Sequence, residues 1–487
     1  MYYKKNLLFL GLMLANSLLV ANPTLKHTIK SNGQAVYAKM KKSVDSFKGM
    51  FKEGSLYGRL RNNNFYFAYN HPDSGHEENL VSAIGASLIY KSASLEGFDF
   101  TLGLYTSRAF FSDSKLDEIS HLKPSKDTLS RYKYANGGSK SLYALGQANI
   151  NYKYSKTNFT LGRQLVETFY TKSNDTKMIP NSFDGLVVSS EDITNTNIKL
   201  AYLSKQKLRD HEDSHAVLMY GDENSTAGVN NPEWTENDDS AMHKGLTYSA
   251  LKAAGKPTDA PLIILDVVNN SIENLKINFS SYVVPELLSQ AMGELNYEID
   301  FDGFSVTSGF RYLQQFDDGA GAVGGASIYK IGLSGYKNPS SLDSQMIAAR
   351  VATEIEKYKI TVAYTNILDK ADLVTPWRGF PTSGYTRSMG MYNWRANTKS
   401  YRLELVKNAN NLGIYKTPFI QTSVLYIDGD QKKVEPDSIF YYAGIVQNLP
   451  AIPEFQYRIR FGYRDFVGAS SEISDYIDSR LEFNYLF

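Results

Sequence analysis

Arginines recur at alternate positions in a stretch near the end of the chain. Arg458, Arg460 and Arg464 alternate with aromatic and aliphatic residues in the run that begins at Phe455. A row of guanidinium groups on one face offers paired N–H donors that match the two oxygens of a carboxylate, and these groups stay charged at any working pH. This spacing therefore favours the binding of carboxylates along a surface.

The same periodicity predicts a larger set of arginines on one side of the protein. If the aromatic face points outward, the inward arginines are Arg311, Arg350, Arg402, Arg458, Arg460, Arg464 and Arg480. Glu354, Glu404 and Glu482 offer the alternative that single arginines only form ion pairs within a wall. A net basic track is the interpretation we favour, while the pairing of each arginine stays open.

A first charged loop, residues 166–182, precedes Asp184 and contains Asp175 and Lys177. If this loop folds inward, Asp175 and Asp184 face basic wall residues, and opposed charges across a narrow passage orient a dipolar solute. The alternative is a surface loop that is held by ordinary salt bridges.

A second loop, residues 367–397, holds two of the three tryptophans of the chain. Such aromatic residues are costly to leave in water, so we expect the loop to pack down onto the protein. Simple packing is the favoured interpretation. A carboxylate site in this mouth loop, formed by Arg378, Arg387 and Arg395, is the functional alternative.

Catalytic and metal-binding chemistry has little support. All seven histidines lie before residue 244, and no zinc-protease, serine-hydrolase or phosphate-loop motif is present. The chain has no cysteine, which excludes disulfides and thiolate metal sites. Residues 205–261 are acidic but lack the spacing of a calcium loop, so a solvated loop is favoured over a calcium or magnesium site. We expect no enzyme, no cofactor and no metal site.

The elements that must position the arginines have the period of two that is typical of β-strands. In the last strand one face is apolar and the other is polar, with Leu481, Phe483, Tyr485 and Phe487 opposite Arg480, Glu482 and Asn484. In a membrane barrel the apolar face would contact lipid and the polar face would line an aqueous lumen. A single strand with two such faces is also compatible with a soluble β-sandwich.

The number and spacing of the strands decide between these folds. Nineteen segments show the pattern, and their connections alternate between short ones and long ones such as 205–261. Segment 325–336 breaks the alternation, and a closed antiparallel barrel needs an even number, so we place it in a loop, 316–342. The predicted fold is an all-β transmembrane up-and-down barrel of about eighteen strands, with short periplasmic turns and long extracellular loops. A barrel of this size can hold an aqueous channel.

Two places do not follow this face assignment. Phe65 and Phe67 have the same parity as Arg61, which predicts a β-bulge through residues 62–64. Arg163 has the parity of its outward neighbours, so it requires a bulge or a position at the membrane interface.

The start of the chain is typical of a secretory signal peptide, because Lys4 and Lys5 precede an apolar run that ends at Ala21. A membrane helix would need about 20 apolar residues. The remaining charge is balanced, with 52 basic and 51 acidic residues in the whole chain, which argues against nucleic-acid binding. The predicted regions are a signal peptide at 1–21, a periplasmic segment at 22–53 and the barrel at 54–487.

The chain resembles the porin D (OprD) family of bacterial outer-membrane channels. The resemblance is carried by Phe159-Thr-Leu-Gly-Arg-Gln164 and by the run from Asn174 to Gly185, in which Lys177 replaces the arginine that is usual in the family. It implies a monomeric or homotrimeric barrel whose third loop folds inward to form a constriction.

The resemblance also implies a function and partners. The family takes up small carboxylate-bearing solutes, often amino acids or peptides, in some members along a ladder of arginines. The expected partners are these solutes, outer-membrane lipid and lipopolysaccharide, and the barrel assembly machinery, which acts on the C-terminal strand. An adhesin or receptor that acts through the long loops, and a barrel hydrolase, are the alternatives.

Overall fold

The computed structural model describes residues 27–37, 43–70, 78–112, 128–173, 177–222, 235, 237–239, 241–329, 332–410, 412–433, 435–468 and 475–487. The predicted signal peptide lies outside these residues. Among them, no helix is long and apolar enough to cross a membrane.

Eighteen strands of the described chain form one closed antiparallel barrel, and each strand pairs with its neighbours in sequence. They are β3 (Ser55–Tyr69), β4 (Glu78–Lys91), β5 (Phe98–Ser112), β6 (Ser141–Tyr154), β7 (Thr157–Gln164), β8 (Ser182–Ser190), β9 (Thr196–Lys207), β10 (Leu262–Ile272), β11 (Leu275–Val284), β12 (Leu288–Phe301), β13 (Phe304–Asp317), β14 (Ser344–Ile355), β15 (Tyr358–Ile367), β16 (Thr398–Lys407), β17 (Phe419–Asp428), β18 (Ser438–Leu449), β19 (Ile452–Phe466) and β20 (Tyr476–Leu486). The predicted barrel is confirmed, with short periplasmic turns and mostly long extracellular loops.

The other elements are short. A hairpin of β1 (His27–Ile29) and β2 (Ala35–Tyr37) precedes the barrel, and the helices are α1 (Phe47–Lys52), α2 (Arg131–Gly137), α3 (Tyr248–Ala253), α4 (Ala320–Gly324) and a 3-10 helix (Gln431–Lys433). Residues 325–329 and 332–336 form no strand, as predicted.

The alternation of side chains gives the wall two different faces. On β13, Phe310 and Tyr312 are 50% and 39% exposed on the outside, whereas Arg311 between them is only 6% exposed. An arginine in lipid costs about 2–4 kcal/mol at the middle of a bilayer, so this alternation keeps the charge inside. The inner face therefore carries the charged residues that a channel needs.

Two sequence predictions about the strands are wrong. No bulge interrupts β3 at residues 62–64, because its pairing with β4 and β20 is continuous. Phe65 and Phe67 instead share the inward face with Arg61, and burial against the contents of the lumen accounts for their aromatic character. The period of two in the sequence also predicts a strand from residue 414 to 427, but strand β17 begins at Phe419 because the residues before it fold into the lumen.

The last strand closes the barrel against the first. The backbone N–H and C=O of Phe487 bond to the C=O and N–H of Gly58, at 3.1 and 2.9 Å. A Cβ atom at Gly58 would lie 2.2 Å from the carbonyl oxygen of Ser87, so a side chain does not fit without a shift of the backbone. The seam of the barrel therefore depends on a glycine at this position.

We predict that Gly58→Ala destabilises the seam by about 1–3 kcal/mol, the usual range for overpacking. The measurement is the urea midpoint of the refolded barrel, read from its heat-modifiable migration on gels. Gly293→Ala on β12 is the control, since a Cβ there meets no atom within 4 Å. Equal midpoints for the two variants would contradict the prediction.

Candidate functional site

A buried wall arginine, Arg311, holds a loop against the inner face of the barrel. Its guanidinium donates to the carbonyl oxygens of Pro381 and Ser383 at 2.7 and 2.8 Å, and its Nε donates to Glu294 at 2.6 Å. The ring of Tyr385 lies 4.5 Å from the guanidinium carbon. Glu294 belongs to β12, and the other partners come from the loop between β15 and β16 (residues 368–397), hereafter the β15–β16 loop. This loop therefore lies inside the barrel.

Two more of the predicted arginines hold the same segment. Arg350 donates to the carbonyl oxygen of Gly384 at 2.6 Å, and Arg402 donates to that of Tyr385 at 3.3 Å. The carbonyl oxygens of residues 381–385 thus take the place on these arginines that the oxygens of a solute would take. This part of the predicted track is occupied by the protein itself.

The β15–β16 loop is also anchored by its tryptophans, as the sequence suggested. Trp377 and Trp394 are almost completely buried. The indole N–H of Trp377 donates to the carbonyl oxygen of Val217 at 2.6 Å, and its ring lies 4.8 Å from that of Tyr282 on the wall. An apolar core therefore fills part of the lumen.

A second loop, between β7 and β8 (residues 165–181, the β7–β8 loop), pairs with the first. The backbone N–H of Gly379 donates to the carbonyl oxygen of Tyr170 at 2.9 Å, and that of Lys172 donates to the carbonyl oxygen of Trp377 at 3.0 Å. The two loops therefore pack together inside the barrel, and we call them together the loop body.

This body reaches the far wall of the barrel. The ammonium group of Lys177 lies 4.7 Å from the ring centre of Phe65 on β3. A Cβ atom at Gly390 would lie 3.7 Å from Asp478 and 3.9 Å from Arg480, both on β20. The two loops therefore cross the lumen.

Charged groups concentrate where the loops meet β19 and β20. Arg460 and Arg458 approach Glu482 at 2.7 and 3.7 Å, and Arg480 approaches Asp478 at 2.6 Å. We call this group the β19–β20 cluster, and it comprises Arg458, Arg460, Arg480, Lys177, Glu482 and Asp478. Four cations share two carboxylates, so the cluster has a net positive charge.

Three other predicted arginines are held by carboxylates of the protein. Arg378 forms an ion pair with Asp239, and both side chains are buried. Arg395 and Arg464 bind the two oxygens of Glu435 at 2.5 and 3.0 Å. These pairs tie the loops together and to the wall.

Arg387, on the β15–β16 loop, has a different environment. Its guanidinium lies over the rings of Phe380, Tyr392 and Trp394 at 4.8, 5.5 and 5.8 Å. No carboxylate of the described residues forms an ion pair with it, and its one hydrogen bond goes to the carbonyl oxygen of Ser388. Burial lowers the pKa of Arg387 to about 10, and the nearby cation Arg480 contributes to this shift. The group stays charged at neutral pH without a counter-ion from the part of the chain that the structure describes.

The predicted role of Asp184 at the constriction is wrong. Asp184 belongs to β8 and binds Arg163 through two bonds of 2.7 and 2.9 Å. Arg163 lies on the same face of β7 as Leu161, and Asp184 lies on the same face of β8 as Leu186. These two leucines are 61% and 40% exposed on the outer face. The pair neutralises Arg163 near the extracellular rim. Asp175 lies outside the described residues.

Comparisons with known proteins agree with this geometry. Residues 49–256 match the family model described as outer membrane porin, OprD family. Over these residues, the chain is similar to the OprD family of porins, as the sequence motifs suggested. No curated protein matches it closely in sequence.

Solved structures share the fold. OccK9 (OpdG) of Pseudomonas aeruginosa has a TM-score of 0.66 and 16% identity, over 90% of this chain and 99% of its own. OpdK of the same species, solved with vanillate, has 0.63 and 11%, over 89% and 98%. OccK2 (OpdF) of P. aeruginosa, solved with glucuronate, has 0.63 and 11%, over 90% and 99%. These structures share the eighteen-stranded barrel fold, and together with the family match they indicate an outer-membrane barrel of the porin type.

Sequence reasoning missed a carboxylate that organises the extracellular loops of the porin. Asp372 is buried and accepts hydrogen bonds from the backbone N–H groups of Ile328 and Ala396, at 3.1 and 2.8 Å, and from the hydroxyl of Tyr336 at 2.8 Å. Burial raises the pKa of this carboxyl. No local sequence pattern predicts the role of Asp372, because its partners come from distant loops. Glu294, by contrast, could be predicted, because it lies directly across from Arg311 on the neighbouring strand.

A buried histidine joins two parts of the loop between β9 and β10. His211 lies 3.4 Å from Asp210 and 3.3 Å from Asp238, and Asp238 also binds Arg131 at 2.5 Å. Burial alone would lower the pKa of His211, but the two carboxylates outweigh it and raise the pKa to about 9. The imidazolium therefore holds Asp238 in place within this loop, and Asp238 in turn links the loop to Arg131 in α2.

We predict that Asp372→Ala loosens the loop body, because it leaves buried donors unpaired at about 1–3 kcal/mol each. Single-channel recordings should show more frequent current fluctuations than in the wild type. Asp343→Ala is the control, since this carboxylate is exposed and accepts a hydrogen bond from the backbone N–H of Asp317. A quiet channel in Asp372→Ala would contradict this role.

We also predict that the loop at His211 loosens in alkaline solution. The pKa of His211 is higher in the folded protein than the unfolded value of about 6.5, so protonated His211 stabilises the folded loop. This stabilisation is fully present below about pH 6.5 and is lost as the pH rises through about 9. Limited proteolysis between β9 and β10 should therefore increase between pH 7 and pH 9.5.

The His211→Asn variant should lose this pH dependence. His243→Asn is the control, because burial lowers the pKa of His243 to about 4 and keeps it neutral throughout. The same pH profile in His211→Asn as in the wild type would show that another group titrates.

Proposed function

We propose that this porin is a substrate-selective passive channel for small solutes that bear a carboxylate. The observation that carries the proposal is the β19–β20 cluster, which places an excess of cations on the wall at the level that the two loops cross. A carboxylate can bind a guanidinium through two parallel hydrogen bonds, which makes arginine well suited to this task.

Arg387 extends the cluster onto the loop. It brings a charge without a counter-ion from the described protein next to Arg480, and its aromatic neighbours form an apolar surface beside that charge. An anion at this point meets cations from both the loop and the wall. A solute with a carboxylate and an apolar or ring-shaped body fits these two features.

The carboxylates of the cluster are consistent with transport rather than tight binding. Glu482 and Asp478 already bond to Arg460 and Arg480, so an entering carboxylate competes with them for the guanidinium groups. Conduction requires a site that is favourable enough to enter and weak enough to leave. OpdK and OccK2, which have the same fold, were solved with vanillate and glucuronate, both of which are carboxylates.

The substitutions Arg458→Gln and Arg460→Gln together should lower the permeability of anions relative to cations. A unit charge about 6 Å from the path changes the energy of a monovalent ion by about 0.7 kcal/mol in water, or about threefold in occupancy. The reversal potential in a salt gradient measures the effect. The difference in reversal potential between this variant and the wild type should shrink near 1 M salt, where the Debye length is about 3 Å.

Glu482→Gln is the matched variant, because it removes a negative charge from the same cluster. It should shift the reversal potential in the opposite direction, whereas Arg163→Gln on the outer face should leave it unchanged. Uptake of glucuronate should follow the charge, while uptake of a neutral sugar of similar size should not. If the two cluster variants shift the reversal potential in the same direction, the carboxylate proposal fails.

A further inference from the structure

The periplasmic end of the lumen is filled on one side. Val406 on β16 and Val446 on β18 face inward, yet they are only 7% and 2% exposed. Tyr415, from the connection between β16 and β17, packs on both of them together with Phe419. Apolar residues on the inner wall of a water-filled channel would be exposed, so water is excluded from this side.

The N-terminal hairpin, residues 27–37, completes the filling. The amide of Gln456, on the inner face of β19, donates to the carbonyl oxygen of Ile29 at 3.0 Å. The backbone N–H of Ser31 donates to the hydroxyl of Tyr415 at 2.7 Å. Ile29 itself is 3% exposed. The hairpin is therefore seated in the mouth of the barrel rather than beside it.

The opposite wall, from β6 to β10, has a different character at the same end. It encloses a cavity of about 620 Å³, which we call the vestibule. Its lining includes Lys153, Asn158, Ser189, Asn197, Lys199 and Asp266. These side chains are polar, and all of them are partly or fully exposed.

The vestibule is linked to the loops above it. The ammonium group of Lys199 donates to the carbonyl oxygen of Glu167, in the β7–β8 loop, at 2.6 Å. Asp266 is its cross-strand neighbour on β10. A solute that leaves the loop body on this side therefore meets Lys199 first.

We propose that the vestibule is the periplasmic exit of the channel, and that the hairpin with residues 408–410 and 412–418 closes the β16–β19 side. Lys199 and Lys153 receive the anionic end of the solute there. The identity of the solute rests on the proposed function, whereas the position of the exit does not. No residue of the vestibule belongs to the β19–β20 cluster.

Cysteine substitution tests the position of the exit, and the chain has no cysteine of its own to react. Asn197→Cys places a thiol in the vestibule, and Val446→Cys places one beneath the hairpin. In planar bilayers, a negatively charged methanethiosulfonate reagent added from the periplasmic side should reduce the conductance of Asn197→Cys in steps. Val446→Cys should keep its conductance and show no labelling by mass spectrometry.

A second pair of variants tests the closure itself. Gly413 has a φ of +71°, and a Cβ there would lie 2.8 Å from the carbonyl carbon of Ile29. Gly413→Ala should unseat the hairpin, raise the conductance and make Val446→Cys reactive in the double variant. Gly303→Ala is the matched control, because its φ is +84° and a Cβ there meets nothing within 4 Å.

The outcomes separate cleanly. Unchanged conductance after labelling of Asn197→Cys would overturn the position of the exit, and so would rapid labelling of Val446→Cys in the absence of Gly413→Ala. Equal conductance of Gly413→Ala and Gly303→Ala would overturn the closure. If Lys153→Gln with Lys199→Gln leaves glucuronate uptake intact while the cluster variants lower it, the lysines have no role and the proposed function stands.

Discussion

Each arginine on the wall needs oxygen partners, and this requirement organises the inside of the barrel. A guanidinium on these strands is unfavourable in lipid, so it faces the lumen, where a narrow enclosure gives it little water. On β13, β14 and β16 the oxygens come from the carbonyl groups of Pro381, Ser383, Gly384 and Tyr385, and also from the wall residues Glu294, Asn296 and Glu404. On β19 and β20 they come from Glu482 and Asp478. The wall is thereby divided into a side whose arginines bind the β15–β16 loop and a side whose arginines bind carboxylates of the wall itself.

This division explains why apolar and charged contents coexist in one lumen. The loop body carries Trp377 and Trp394, which are buried among residues of several other loops, and this core fixes the height at which the loops cross. With the crossing fixed, Arg387 is held beside the β19–β20 cluster even though, among the described residues, it bonds only to its neighbour Ser388. Packing positions the charge, and the charge itself contributes little to that packing.

The sequence was sufficient for the barrel because the period of two is imposed locally by lipid on one side and water on the other. It failed where long-range packing reverses that rule. Phe65 faces inward because Lys177 covers its ring. Asp184 faces outward because Arg163 beside it needs a partner. The inward orientation of the arginines was predictable, but their division between loop and cluster was not, since it depends on which loop carbonyl groups reach them.

The anchoring of the β15–β16 loop through carbonyl oxygens has a consequence for how such a channel can change. Every residue type has the same carbonyl group, so an exchange of the side chain at Ser383 leaves its bond to Arg311 chemically intact. The side chain of Ser383 is therefore not needed to attach the loop, whereas the ring of Tyr385 packs on Arg311 and the hydroxyl of Thr382 donates to Asn393. New solute preferences can arise there by single substitutions, while the frame that holds the segment in the lumen is inherited unchanged.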